Sequence, residues 1–348
     1  MIPYILFVVF ILVTRNYKNH RLMFLGLVLF SALRYDVGWD FMSYYGLVNS
    51  LGRSTDSVEH YSFIWRWLFQ TAHTLNSPQL AIAVPAILTI SISYYVIVKL
   101  QVTVSRISDS LAVYALWPFF YLASFSVIRQ SLAIAIGLLI LYCAINKKFF
   151  WFFFLLLVNY FVHPSSVVCI VFAFFFFSGF HLKIWHIIVL SILFVGAASS
   201  LNLILENSLV EDYLTYIGES DSYGSKLSIL IALVLVPVII IRMKKALVGE
   251  VVHKGIIDIV VLAYILTIIV FVLVNNSVLS RVLDYFVVLL VFVLPVAKQL
   301  FKDKTHGAFL IYTALSLILL VYLFITSGAQ SQGLASSSYI PYKMVLLQ

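Results

Sequence analysis

Apolar runs of about 15–22 residues follow one another along most of this chain, and an α-helix needs a run of that length to cross a bilayer. They fall near 2–14, 21–34, 79–98, 110–127, 130–146, 149–163, 165–180, 184–205, 226–241, 255–274, 281–297 and 307–326. Inside lipid every backbone N–H and C=O must be satisfied within its own segment, which makes such runs helices. The expected fold is therefore an all-α polytopic membrane protein of about 12 transmembrane helices, in a single integral membrane domain over 1–348. Composition agrees: 63% of residues are hydrophobic and 10% charged, against about 45–50% and 25% in soluble domains. The N-terminus lacks a basic region and a small-residue cleavage site, and reads as a first span.

Charge sets the orientation. All of the 22 basic residues except Arg34, Arg53, Arg66, Arg129, Lys226, Arg281 and Lys343 fall in loops on one face, which the positive-inside rule makes cytoplasmic. Both termini then point away from the cytoplasm. The net charge of +8 follows this sidedness and is too diffuse for nucleic acid. Cys143 and Cys169 both lie in apolar runs, so neither a disulfide framework nor a CxxC-type metal site is present.

Two segments test the assignment. Phe149–Ser178 is long enough for one helix, but His163-Pro164 interrupts it, and proline breaks the ladder and biases its predecessor away from helix. A tight hairpin with His163 at its outer turn keeps Lys183 and Arg242–Lys245 inside. Tyr61–Gln70 is as apolar as a span, yet carries Arg66, two Trp and Gln70. It reads as an interfacial or re-entrant helix near 61–75, where Trp and Arg are stable.

Four interruptions then share the outer side. The first is Arg34-Tyr35-Asp36-Val37-Gly38-Trp39-Asp40, followed by Tyr44-Tyr45. Its carboxylates suit base chemistry and its rings suit sugar faces, although Asp40 also suits a helix cap. The second, Arg129-Gln130, places a permanent cation at a membrane boundary, which costs energy and marks a site unless the side chain only snorkels to the headgroups. The third is Phe161–Ser166, where His163 is either a proton-transfer group or a capped helix end. In the fourth, Arg281, Asp284 and Tyr285 share one helical face, either as a self-neutralising pair or with Asp284 orienting the guanidinium. Together these groups describe an anion-binding cavity suited to a diphosphate. No outward cluster of metal ligands accompanies them, and arginine is expected to do the holding, with no metal and no cofactor.

These stretches resemble the EpsG/Wzy-type polysaccharide polymerases of bacterial inner membranes. The resemblance rests on Arg34–Tyr45, Ile128–Ala133, Phe161–Ser166 and Arg281–Phe286, and Trp39 stands where the family more often has a small or Thr-like residue. It implies a metal-independent glycosyltransferase, with a GT-C-like architecture compatible with the chain. The enzyme would join undecaprenyl-diphosphate-linked oligosaccharide repeat units into O-antigen, capsule or exopolysaccharide on the periplasmic face. Its partners would be the lipid-linked donor and acceptor, membrane lipid and a chain-length regulator. Arg129 and Arg281, helped by Gln130 and Asp284, would hold the diphosphate. Asp36, Asp40 and His163 are the candidate bases, and Arg34, Tyr44, Tyr45 and Tyr285 complete the substrate site. The competing classes are a flippase or transporter of an anionic lipid-linked glycan and a membrane O-acyltransferase. Against a transporter stand the absence of paired repeats and the clustering of polar breaks on one side. An acyltransferase would want its acyl donor on the cytoplasmic face.

Overall fold

The structure, a computed structural model, describes residues 1–51, 58–101, 103–178, 254–269, 277–298, 301–331 and 339–345, with positions 186 and 189 in isolation. The run expected at 226–241 lies outside the described residues, as does that at 184–205 apart from positions 186 and 189. Those that are described form helices without a strand, and one isolated bridge pairs Arg34 with Met344. In chain order the helices are α1 (Ile2–Asn16), α2 (His20–Ala32), α3 (Trp39–Ser50), α4 (Phe63–Thr74), α5 (Leu80–Leu100), α6 (Val104–Leu116), α7 (Ile128–Ile145), α8 (Phe149–Val162), α9 (Val171–Phe177), α10 (Lys254–Ile269), α11 (Ser277–Val287), α12 (Leu290–Ala297) and α13 (Lys304–Ser331).

Local chemistry sets several boundaries. Pro3 opens α1, where its missing N–H is no loss. The Asn19 side chain accepts the Leu22 N–H at 3.1 Å and caps α2. The amide of Gln79 donates to the carbonyls of Ala32 and Arg34, satisfying groups that the end of α2 leaves unpaired. The run expected as one span at 110–127 is not one helix. It begins at Val104 and stops at Leu116, because Pro118 forces Trp117 into an extended conformation (ψ 116°). A π-helical turn (Pro118–Leu122) and a 3-10 turn (Ala123–Phe125) follow, re-aiming the chain before α7. The run at 281–297 is likewise divided, into α11 and α12.

Leu80–Leu100, Ile128–Ile145 and Lys304–Thr326 are long and apolar enough to cross a membrane. Four shorter apolar helical stretches accompany them: Ile2–Asn16, His20–Ala32, Phe149–Val162 and Pro164–Phe177. At 1.5 Å per residue the 14 residues of α8 extend about 21 Å, short of a hydrocarbon core about 30 Å thick. The hairpin expected at His163 forms. Phe149 and Phe152, at the start of α8, meet Phe177 at the end of α9, with ring centroids 4.3 and 5.1 Å apart. The outer face of α8 leaves Phe150, Trp151, Phe153 and Phe154 exposed, as a lipid-facing surface would.

The core runs along α6 and α7. Ten consecutive residues of α6, Ile107–Leu116, are buried, and so is every residue of α12, which packs against it. At the lysine-rich end the Asp109 carboxylate receives Arg15 Nε at 2.7 Å and Lys298 Nζ at 2.6 Å. The Tyr312 hydroxyl donates to the Asp109 carbonyl, and the Arg15 guanidinium lies 3.7 Å over the Tyr312 ring. This buried cluster ties α1, α6, the end of α12 and α13 together.

At the opposite end the segment 339–345 returns to the bundle. The Tyr4 hydroxyl donates to the Tyr339 carbonyl at 2.5 Å, and Tyr342 stacks on Phe30 at 4.0 Å. Backbone bonds run from Tyr35 N to Lys343 O and from Val345 N to Leu33 O.

Candidate active site

The first two interruptions pack directly on each other, and Gly38 allows it. Its φ is +93°, and a Cβ there would sit 2.1 Å from the Phe125 carbonyl oxygen. Only glycine accepts both the conformation and the approach. Past it, Trp39 N–H donates to Ser126 Oγ at 3.3 Å, and Asp40 Oδ2 accepts the Ile128 N–H at 2.8 Å. Asp40 therefore sits in the first turn of its own helix α3 and also caps α7.

Arg129 occupies the first turn of α7, a position where the helix dipole disfavours a cation. Two rings hold the half-buried side chain there. Its guanidinium lies beside the Tyr44 hydroxyl and 4.8 Å over the Tyr61 ring. Burial, together with the nearby Asp40 carboxylate, pushes the Tyr44 phenol up, so it remains protonated. Tyr44 packs among Trp65 and Phe69 of α4, and Trp65 Nε1–H donates to the Val162 carbonyl at 3.0 Å. The expected interfacial helix is thus the wall joining Arg129 to the His163 turn.

The next residue reaches the fourth interruption: Gln130 Nε2 donates to Asp284 Oδ2 at 3.2 Å. Asp284 borders a cavity of about 20 Å³ lined also by Ser93, Tyr114 and Ser131, large enough for about one water. Arg281 precedes Asp284 by one turn on α11, and its side chain lies outside the described part of the structure. The third interruption joins through Tyr285. Ser165 Oγ lies 3.2 Å from the Tyr285 hydroxyl and 2.7 Å from His163 Nδ1. The four interruptions, separated by up to about 250 residues in sequence, form one connected site. Its links are Asp40 to Ile128, Gln130 to Asp284 and Tyr285 to Ser165.

Three expected site residues have other surroundings. Arg34 is fully buried, with Nη1 on the Ser31 carbonyl at 2.6 Å, Nε on the Val37 carbonyl, and the Phe125 ring beneath it at 4.5 Å. It braces the loop from within and does not reach the surface of the site. Asp36, at φ +51°, pairs with Lys343 Nζ at 2.6 Å. Tyr45 stacks on Phe41 and meets Tyr35 edge-on, turned from Tyr44 by the helical step between neighbours.

Sequence reasoning did not single out Ser126, Ser165, Tyr61, Tyr339 or Lys343. Tyr339 Oη lies 2.8 Å from Ser126 Oγ, so residues more than 200 positions apart meet behind Asp40. The Tyr-Ile-Pro-Tyr-Lys run at 339–343, aromatic and outside any span, was the available signal for a docked segment. Among the described residues no three His, Cys, Asp or Glu side chains gather to hold a metal.

Comparison with known proteins places the chain in a family. The model of the EpsG family matches residues 20–344, nearly the whole chain and all four parts of the site. No curated protein and no solved structure matches it.

Proposed function

The chain belongs to the EpsG family, and with the polysaccharide-polymerase chemistry which that membership implies as premise, we propose that it joins undecaprenyl-diphosphate-linked oligosaccharide repeat units. The reaction takes place on the periplasmic face of the inner membrane, at the end of the bundle that carries Arg129 and His163. The observation that carries this reading is the setting of Arg129. A guanidinium is held by Tyr44 and Tyr61 at a helix N-terminus that Asp40 caps. Such a fixed, half-exposed cation suits the diphosphate of a lipid-linked sugar.

In the transfer an acceptor hydroxyl attacks the anomeric carbon of the donor sugar while the bond from that carbon to the phosphate oxygen breaks. The bonding electrons leave with the diphosphate, and the hydroxyl proton passes to a base. Fixed donors aimed at the growing phosphate charge stabilise the transition state, a task assigned to Arg129 and to Arg281. Asp40 takes the base role. Ile128 N–H holds one of its oxygens, which orients the carboxylate beside Arg129. Asp36 is occupied by Lys343. No step requires a metal. An apolar groove of about 390 Å³ between α1 and α2, bordered by Tyr342 and Met344, suits part of the polyprenyl tail beside this end.

The test is a deletion strain complemented with the wild-type gene and read as a polysaccharide ladder on a gel. Long chains on complementation and single-repeat products without it support polymerisation, and unchanged long chains in the deletion strain overturn it.

A further inference from the structure

His163 ends α8 in an extended conformation, φ −156° and ψ 123°, immediately before the 3-10 turn Pro164–Ile170. That backbone turns its ring onto its own chain: Nδ1 lies 3.4 Å from Ser165 N and 2.7 Å from Ser165 Oγ. A backbone N–H can only donate. Nδ1 therefore meets it with a lone pair and carries no proton. The position of this N–H is fixed by the peptide plane, which makes it a firmer guide to the tautomer than a rotating hydroxyl. With Nδ1 an acceptor, the Ser165 Oγ–H can only donate toward it, sharing the one lone pair with the N–H, which leaves Ser165 Oγ to accept from the Tyr285 hydroxyl 3.2 Å away. All the donors then run one way, from Tyr285 through Ser165 to His163, and the single proton of the neutral ring sits on Nε2.

We infer that His163 serves the reaction as an Nε2–H donor to an anionic oxygen of the lipid diphosphate and not as the base that accepts the hydroxyl proton. Ser165 and Tyr285 are positioning residues that fix this tautomer. The inference rests on the polymerase reading and deepens it. A base at Nε2 would need the proton on Nδ1, which would keep the 2.7 Å contact to Ser165 Oγ but set one N–H against another at Ser165 N. Removing that conflict would require turning the ring away from Ser165 N. A preset N–H, by contrast, needs no rearrangement as the C–O bond breaks and charge grows on the phosphate oxygen. It would add a neutral donor to the cationic ones. The family-wide match gives His163 no role, and Ser165 enters only through this geometry.

Amide isosteres separate the two roles. In His163→Gln the amide NH₂ reaches the region of Nε2 and can donate but cannot act as a base. In His163→Asn the amide falls nearer Nδ1. With protein purified into lipid nanodiscs and a lipid-diphosphate-linked repeat unit as substrate, His163→Gln should keep kcat within about tenfold of wild type. His163→Ala and His163→Asn should lose about 10²–10³-fold, as removal of one transition-state donor does. Ser165→Ala should lower kcat at unchanged KM, and Ser165→Thr, which keeps the hydroxyl, should restore it. His163→Gln as inactive as His163→Ala, when both melt like wild type, would overturn the donor assignment, and Ser165→Ala matching wild type in kcat would overturn the positioning role of the Ser165 hydroxyl. Absence of any polymer from the wild-type protein would instead overturn the polymerase reading, and this role with it.

Discussion

The Asp40 carboxylate accepts the Ile128 backbone N–H at 2.8 Å, so the loop after α2 closes over the start of the helix that presents Arg129. One bond thereby joins the candidate base to the candidate diphosphate grip. Asn at position 40 keeps an oxygen for that N–H and loses the negative charge. Asp40→Asn should accumulate and melt like wild type, yet polymerise about 10²–10⁴-fold more slowly, the usual worth of a general base. Asp40→Ala should in addition lose about 1 kcal/mol with the cap. Thermal melts paired with initial rates check both, and a fully active Asp40→Asn would move the base elsewhere.

Asp36 provides the contrast. Its pair with Lys343 is partly solvated, with side chains 35% and 42% exposed, and such pairs contribute about 0–1 kcal/mol. Asp36→Asn should leave the polymer ladder essentially unchanged, since Asn also tolerates the +51° φ. A β-branched residue does not, and Asp36→Val should cost about 1–2 kcal/mol of stability, read as a lower melting temperature.

Gly38 permits the contact between the two loops. Gly38→Ala combines a disfavoured φ with a Cβ 2.1 Å from the Phe125 oxygen. Backbone strain alone amounts to about 1–3 kcal/mol, and the clash adds to it by pushing Trp39 and Asp40 off Ser126 and Ile128. Loss of long chains together with a lowered melting temperature is expected. Wild-type behaviour would show that the two loops separate without consequence.

The ion cluster at the far end should behave differently from the site. Asp109 is almost fully buried between Arg15 and Lys298. Removing its carboxylate leaves two cations facing each other, and breaking a buried pair costs about 3–5 kcal/mol. Asp109→Ala should therefore reduce the amount of folded protein in the membrane. The fraction that does fold should polymerise at the wild-type rate per molecule.

Much of this arrangement was legible in the sequence, for identifiable reasons. The proline after His163 and the basic residues at Lys183 and Arg242–Lys245 are readable signals, and they were enough to place the α8–α9 hairpin. The polar interruptions stood out because charge in a membrane protein is expensive, so Asp40, Arg129, Gln130, Asp284 and Tyr285 could be named before any contact was known. What was missed is non-local. The start of α6 at Val104 lies in polar sequence that hydropathy leaves out of a span. The pairing of Lys343 with Asp36, or of Tyr339 with Ser126, leaves no trace in the sequence near either partner. Arg34 resembled a ligand-binding arginine by composition, and only its burial against Ser31 and Val37 distinguishes it from Arg129.

That distinction leads to the most direct test. Arg129→Lys keeps the charge and the long stem while removing the planar fork. Arg66, exposed on α4, provides the control as Arg66→Lys. A charge-assisted hydrogen bond contributes about 1.5–3 kcal/mol, roughly one to two decades in rate. Initial rates of polymerisation of a lipid-diphosphate-linked repeat unit in nanodiscs, with equal amounts of folded protein, should fall about 10–100-fold for Arg129→Lys and little for Arg66→Lys. Equal, mild effects at both positions would mean that Arg129 only anchors a helix end, and would contradict the assignment of this site.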